Sequence, residues 1–135
     1  MKTKPCLTAA DVKAMLAAAE AEATKNKWPL AIAIVDDGGH LLAALRLDGA
    51  TVFNMELALG KARTAAQTAR PSRFWAERLT GGGGGMLTLA VPVMPAPGGL
   101  PVMVMGECVG GIAASGAKGE EDERASQAGL DALGS

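Results

Sequence analysis

The 135-residue sequence predicts an α+β domain, and three observations carry that prediction. Two apolar runs within Leu30–Asp48 are separated by Asp36-Asp37-Gly38-Gly39, residues that tolerate the positive φ of a tight reversal, so a strand hairpin is expected there. Two segments, Leu7–Lys25 and Val52–Ala69, repeat their apolar residues at helical spacing. A further pair of apolar runs meets at Met105-Gly106-Glu107, where Gly106 can supply positive φ for a second hairpin.

In chain order, the first helix has Thr8 as N-cap with Asp11 three residues on, and Leu7 and Val12 at the spacing of a hydrophobic staple. Val12, Met15, Leu16, Ala19 and Ala23 form its apolar stripe. Trp28-Pro29 ends it and leads into strands at Leu30–Val35 and His40–Leu47. The second helix places Met55, Leu59, Ala62, Ala66 and Ala69 on one face. Its small residues Ala58, Gly60 and Ala65 suit a close approach to a sheet or to a second subunit. Arg70-Pro71 stops it, because proline restricts the residue before it and lacks an N–H. Ser72 is the expected cap of a short helix reaching Leu79. Gly81–Gly85 reads as a mobile loop or as a backbone surface offered to a ligand. It is not a phosphate-binding loop, since no Lys-Ser or Lys-Thr pair follows. Leu87–Met94 is expected at a sheet edge, where Pro92 is tolerated, and Cys108–Ser115 at the sheet centre. Between them comes a strand at Leu100–Met105, and a final helix spans Glu120–Leu133 with its acidic first turn matched to the helix dipole. The order is α-β-β-α-α-β-β-β-α in one domain, residues 1–135.

The bulk properties exclude several classes. With a net charge of −1 and no basic cluster, nucleic acid is not an expected partner. Cys6 and Cys108 have neither disulfide-framework nor zinc spacing. No apolar run reaches the ~18 residues of a membrane helix, and MKTKPCLTAADVK has no signal-peptide core, so a cytoplasmic protein is expected. The Ala/Gly-rich helix face and the apolar last hairpin suggest a homo-oligomer.

Three stretches resemble the GlcG/HbpS family, also called the haem-degrading or DUF336 domain and found at the C-terminus of PduO-type proteins. They are IVDDGGHLLAALRLDGA (Ile34–Ala50), ALGKARTAA (Ala58–Ala66) with ARPS shortly after, and PGGLPVMVMGECVGGIAASGAKGEEDERASQAG (Pro97–Gly129). They stand in the family's order and span most of the chain. The resemblance implies a profilin-like or PAS-like core, a five-stranded antiparallel sheet flanked by helices, together with homo-oligomeric assembly and haem as a ligand. The chain departs from the pattern in its glycine run and in AASG at the last strand's end.

Four residues are candidates for holding a ligand: His40, Arg46, Asp48 and Lys61. His40 is the only histidine, so any imidazole chemistry must use it. It also suits a solvent-facing strand start. Arg46 and Asp48 suit a carboxylate clamp or an ion pair fixing the strand–helix junction. Lys61 could reach a carboxylate or a haem propionate, or lie along the surface with its ammonium in water. Asp36 and Asp37 read as turn formers before metal ligands, Glu107 as solvated, and Met103 and Met105 as core packing before axial haem ligands. No nucleophile–base–acid triad is present, and no metal site is predicted. At ~3.3 Å per residue, His40 and Asp48 lie about 25 Å apart along the strand. His40 would therefore serve a haem site shared between subunits, whereas Arg46, Asp48 and Lys61 would serve a carboxylate metabolite. The expected function is a small ligand-binding protein, for haem or a small acidic metabolite. The rivals are an isomerase or tautomerase acting on a carboxylate, with His40 or an Asp as proton shuttle, and an accessory or assembly subunit without a ligand.

Overall fold

A computed structural model describes residues 1–82 and 92–134 of the chain. The elements are α1 (Ala9–Lys25), β1 (Ala31–Asp36), β2 (Leu41–Arg46), α2 (Val52–Thr68), α3 (Arg73–Thr80), β3 (Gly99–Val104), β4 (Glu107–Ser115) and α4 (Gly119–Asp131). The strands form an antiparallel sheet in the order β2-β1-β4-β3. Cys108–Ser115 is therefore central, as its freedom from proline and charge predicted. The described sheet has four strands where five were expected. Most of the expected fifth, Leu87–Met94, lies outside the described residues, and Pro92–Met94 are not in a strand. Proline cannot donate to a ladder, and the Met94 N–H donates instead to the Thr64 hydroxyl on α2 at 2.8 Å. The glycine run Gly81–Gly85 likewise continues beyond the described residues after Gly82.

The capping box of α1 forms as read: Thr8 Oγ1 accepts from the Asp11 N–H at 3.2 Å, and Asp11 Oδ2 accepts from the Thr8 N–H at 2.8 Å. Val12, Met15, Ala19 and Ala23 are buried and pack with Leu30, Ile32, Ile34, Ile112 and Ala125 into one core between the sheet and the α1/α4 layer. On the other face Ala31, Ala33, Val35 and Ala113 meet Ala58, Ala62 and Ala66 of α2. The buried alanines of α2 are thus covered by its own sheet, while Gly60 is half-buried beside Met94. The approach is close enough to require glycine on the strands. A Cβ at Gly111 would come 2.4 Å from the Ala62 carbonyl oxygen, and one at Gly99 would come 2.4 Å from that of Lys61.

Two local readings change. Ser72 does not cap α3 with its side chain. Its hydroxyl donates to the Ala96 carbonyl at 2.6 Å and accepts from the Gly99 N–H at 2.8 Å, fastening the loop before β3. In the second hairpin Met105 joins Gly106 in left-handed geometry, with φ of 52° and 80°, as a type I′ turn demands.

Candidate functional site

The four candidate residues separate into three places. Arg46 pairs with Ala31 at one end of the β1–β2 ladder, while His40 follows the turn at the other end. Asp48 lies beyond Arg46, and all three side chains are exposed. Among the described residues, neither Arg46 nor Asp48 forms an ion pair, so the junction pair does not form. Lys61 is buried, at 4% exposure, and so is Asp122, at 3%. The Lys61 ammonium lies 3.2 Å from Asp122 Oδ2 and 3.3 Å from the Ala114 carbonyl. This overturns the picture of a lysine stem on the surface: its charge is spent inside the fold.

A wider polar cluster surrounds that pair. Asp122 Oδ1 accepts from the Ala117 N–H at 2.9 Å. Ser126 donates to the Gly98 carbonyl at 2.6 Å, next to the Ser72 contacts with Ala96 and Gly99. Burial pushes the Asp122 carboxyl above its usual range, although the Ala117 N–H and Lys61 pull the other way. The acidic first turn of α4 is therefore two things at once, a charge set for the helix dipole and, at Asp122, the counter-ion of α2.

The β1–β2 turn is the opposite case. Asp36 Oδ1 accepts from the N–H groups of Gly38 and His40, each at 2.9 Å, and lies 3.3 Å from His40 Nδ1. The bond from the His40 backbone N–H is the main cause that holds the Asp36 carboxyl below its usual range. The imidazole is 82% exposed. Nδ1 lies beside this carboxylate without a hydrogen bond to it, and the exposed ring leaves an imidazole nitrogen open to a ligand. The turn itself is braced by α2. Arg63 Nε donates to the Gly39 carbonyl at 3.1 Å and Gln67 Nε2 to that of Gly38 at 3.0 Å. These residues also line an open groove of about 350 Å³, completed by Gly60, Thr64 and Pro92–Met94.

Beyond His40 the strand begins with two leucines and, among the described residues, is an edge of the sheet. The ladder slips between Ile34 and Val35, leaving Leu42 as the extra residue of a bulge. Leu41 is 54% exposed and Leu42 42%. The residues present fit one side of a haem: an outward imidazole nitrogen and adjacent apolar side chains. They do not enclose one. Among the described residues no three His, Cys, Asp or Glu side chains converge as a metal cluster, and no helix is long and apolar enough to cross a membrane.

Asp36, Arg63, Gln67 and Asp122 were not singled out as site residues from sequence. Asp36 and His40, and likewise Arg63 and Gln67, stand four apart, a spacing visible in the chain. Nothing local links Lys61 to Asp122, since they meet only because α2 and α4 both pack on β4.

The family model described as haem degrading protein HbpS-like matches residues 7–131. Protein GlcG of Escherichia coli K12 is 38% identical over 116 residues, covering 85% of each chain. The crystal structure of a Streptomyces reticuli HbpS double mutant matches with TM-score 0.90 at 32% identity, over 100% of this chain and 92% of that one. A crystal structure of a PduOC–haem complex matches with TM-score 0.89 at 26% identity, over 96% of both chains. With the family model matched over nearly its whole length, the chain belongs to the HbpS-like family.

Proposed function

We propose that the protein is a small cytoplasmic haem-binding protein, acting as one domain within a homo-oligomer, and that His40 is its iron-facing residue. The observation that carries the proposal is the exposed imidazole beside Asp36, with a ring nitrogen open to a ligand. The PduOC–haem complex, similar over 96% of this chain, supports haem as the ligand class. Haem, when bound, supplies a redox-active iron and a strong visible absorption. This chain supplies an imidazole, a carboxylate beside it, and the apolar edge Leu41–Leu42. A second copy covers the face of the macrocycle that one subunit leaves open, which is the role of the oligomer. The unpaired thiols of Cys6 and Cys108 suit a reducing compartment.

We favour this over the isomerase reading because Lys61 is paired with Asp122 and Arg46 lies at the far end of β2 from His40. The test is titration with haemin followed by the Soret band. The expected result is saturable binding that weakens at least about tenfold, or 1.4 kcal/mol, in His40→Ala and is unchanged in Arg46→Ala. Unchanged affinity in His40→Ala, or a monomer by light scattering in the haem-bound state, overturns the proposal.

A further inference from the structure

A second constellation lies on α3 and the link before it, and shares no residue with the His40 turn. Trp75 donates its indole N–H to the Thr68 hydroxyl at 3.2 Å, and that hydroxyl donates to the Thr64 carbonyl at 2.6 Å. The indole is thereby fixed to α2. Phe74 meets it edge to face, with centroids 5.0 Å apart and planes at 88°, a favoured aromatic geometry. On this held ring sit two guanidiniums: the central carbons of Arg70 and Arg78 lie 4.3 Å and 5.8 Å from the Phe74 centroid.

Two cations on one ring repel each other, and among the described residues neither has a carboxylate within 4 Å. Residues 83–91 contain no Asp or Glu to supply one. The neighbouring Arg73 differs, with Glu123 at 2.8 Å and Glu77 at 3.9 Å. Phe74 and Arg78 line an open concavity of about 480 Å³ with Glu77, Gly81 and Gly82. Among the described residues, Glu77, shared with Arg73, is its only acidic wall. A guanidinium is a planar fork that pairs bidentately with carboxylates and stacks on π-systems, so a conjugated carboxylate can use both properties at once.

We propose that Arg70, Phe74 and Arg78 form a binding site for a planar, conjugated carboxylate, separate from the His40 site. The carboxylate pairs with the Arg78 guanidinium at the wall of the concavity, Arg70 adds its positive charge from over the Phe74 ring, and the conjugated plane lies beside Phe74. Trp75 reports on it, being in contact with Phe74.

The test uses the full chain with Trp28→Phe, which leaves Trp75 as the only tryptophan, and benzoate as the probe. Saturable change in Trp75 emission is expected, with the same affinity by calorimetry on the unmodified chain. Arg70→Gln and Arg78→Gln should each weaken binding about tenfold, the double variant should abolish it, and cyclohexanecarboxylate should bind at least about fivefold more weakly than benzoate. The His40→Ala variant should bind benzoate unchanged, which separates this site from the haem reading. Circular dichroism confirms that the exposed arginine substitutions leave the fold intact. The proposal is overturned by affinity that survives the double variant, by equal binding of the non-planar acid, or by loss of binding in His40→Ala.

Discussion

Lys61 and His40 were candidates of the same standing, and the fold treats them in opposite ways. Lys61 sits under α4 with its ammonium on Asp122 and the Ala114 carbonyl, 4% exposed. His40 stands at a hairpin turn with its imidazole 82% exposed and a single carboxylate beside it. The difference lies in how many partners each charge finds. A buried cation must have its bonds met inside the protein, because burying an unpaired charge is far costlier than leaving it in water. Lys61 is accordingly committed to holding α2, α4 and β4 together. The imidazole meets no such demand and keeps a nitrogen for something outside the chain. Availability, not residue type, is what makes His40 the proposed ligand-binding side chain and Lys61 a structural one.

The largest effect that sharpens this contrast comes from Asp122. Asp122→Ala leaves the Lys61 ammonium buried without its carboxylate and the Ala117 N–H without its acceptor. Removing one partner of a buried pair costs about 3–5 kcal/mol, to be read from urea denaturation midpoints. Lys61→Met should cost less than Asp122→Ala, because burial already pushes the Asp122 carboxyl upward and without Lys61 it can take a proton. The penalty of Lys61→Met should shrink as the pH is lowered, while that of Asp122→Ala should not. Equal penalties for the two, unaffected by pH, would show that the pair is not closed in solution.

What could be read beforehand follows the range of the interactions. The α1 capping box, the two hairpins and the central place of Cys108–Ser115 depend on residues close in sequence or on the absence of proline and charge, and they were legible. Ser72 was misread because a serine before a helix is ordinarily its cap, whereas here Ala96 and Gly99, remote in sequence, take its hydroxyl. The alanine face of α2 was visible, but not whether sheet or subunit would cover it. At the site, the turn and the lone histidine were legible. The burial of Lys61 was not, because its partner stands 61 residues away along the chain. Nor was the bulge at Leu42, which turns two leucines outward on a strand whose alternation alone would have hidden one of them.

A smaller effect separates the two carboxylates by the sign of their pH dependence. Asp36 has its pKa lowered from 3.8 in the folded chain, chiefly by the bond from the His40 N–H. As the pH falls, the unfolded state takes up the proton first, so the stabilisation from Asp36 is present above pH 3.8 and is lost as the pH falls through the folded value. Asp122 is shifted the other way, so its ionisation lowers stability as the pH rises from 3.8 through its folded value. Asp36→Asn keeps an oxygen that can accept from Gly38 and His40 but removes the titration. Its stability should therefore fall less steeply than that of the unmodified chain on acidification from about pH 6 to about pH 2. Parallel acid limbs would mean that the turn is not organised by an ionised Asp36.

The smallest expected effect is on the stability of His40→Ala. The imidazole is exposed, and the structural bonds of the turn are made by the backbone N–H groups of Gly38 and His40 to Asp36, and by Arg63 and Gln67 to the carbonyls of Gly39 and Gly38. Alanine retains every one of these bonds. What is lost is the side-chain approach to Asp36 at 3.3 Å, an exposed pair at close sequence range, and such pairs contribute within about 0.5 kcal/mol. The unfolding midpoint should hardly move, while haemin binding falls about tenfold. That combination, function lost with the fold untouched, is the reverse of what Asp122→Ala should give. If His40→Ala instead destabilised the chain by as much as 2 kcal/mol, the imidazole would be a structural part of the turn, and the contrast with Lys61 would fail.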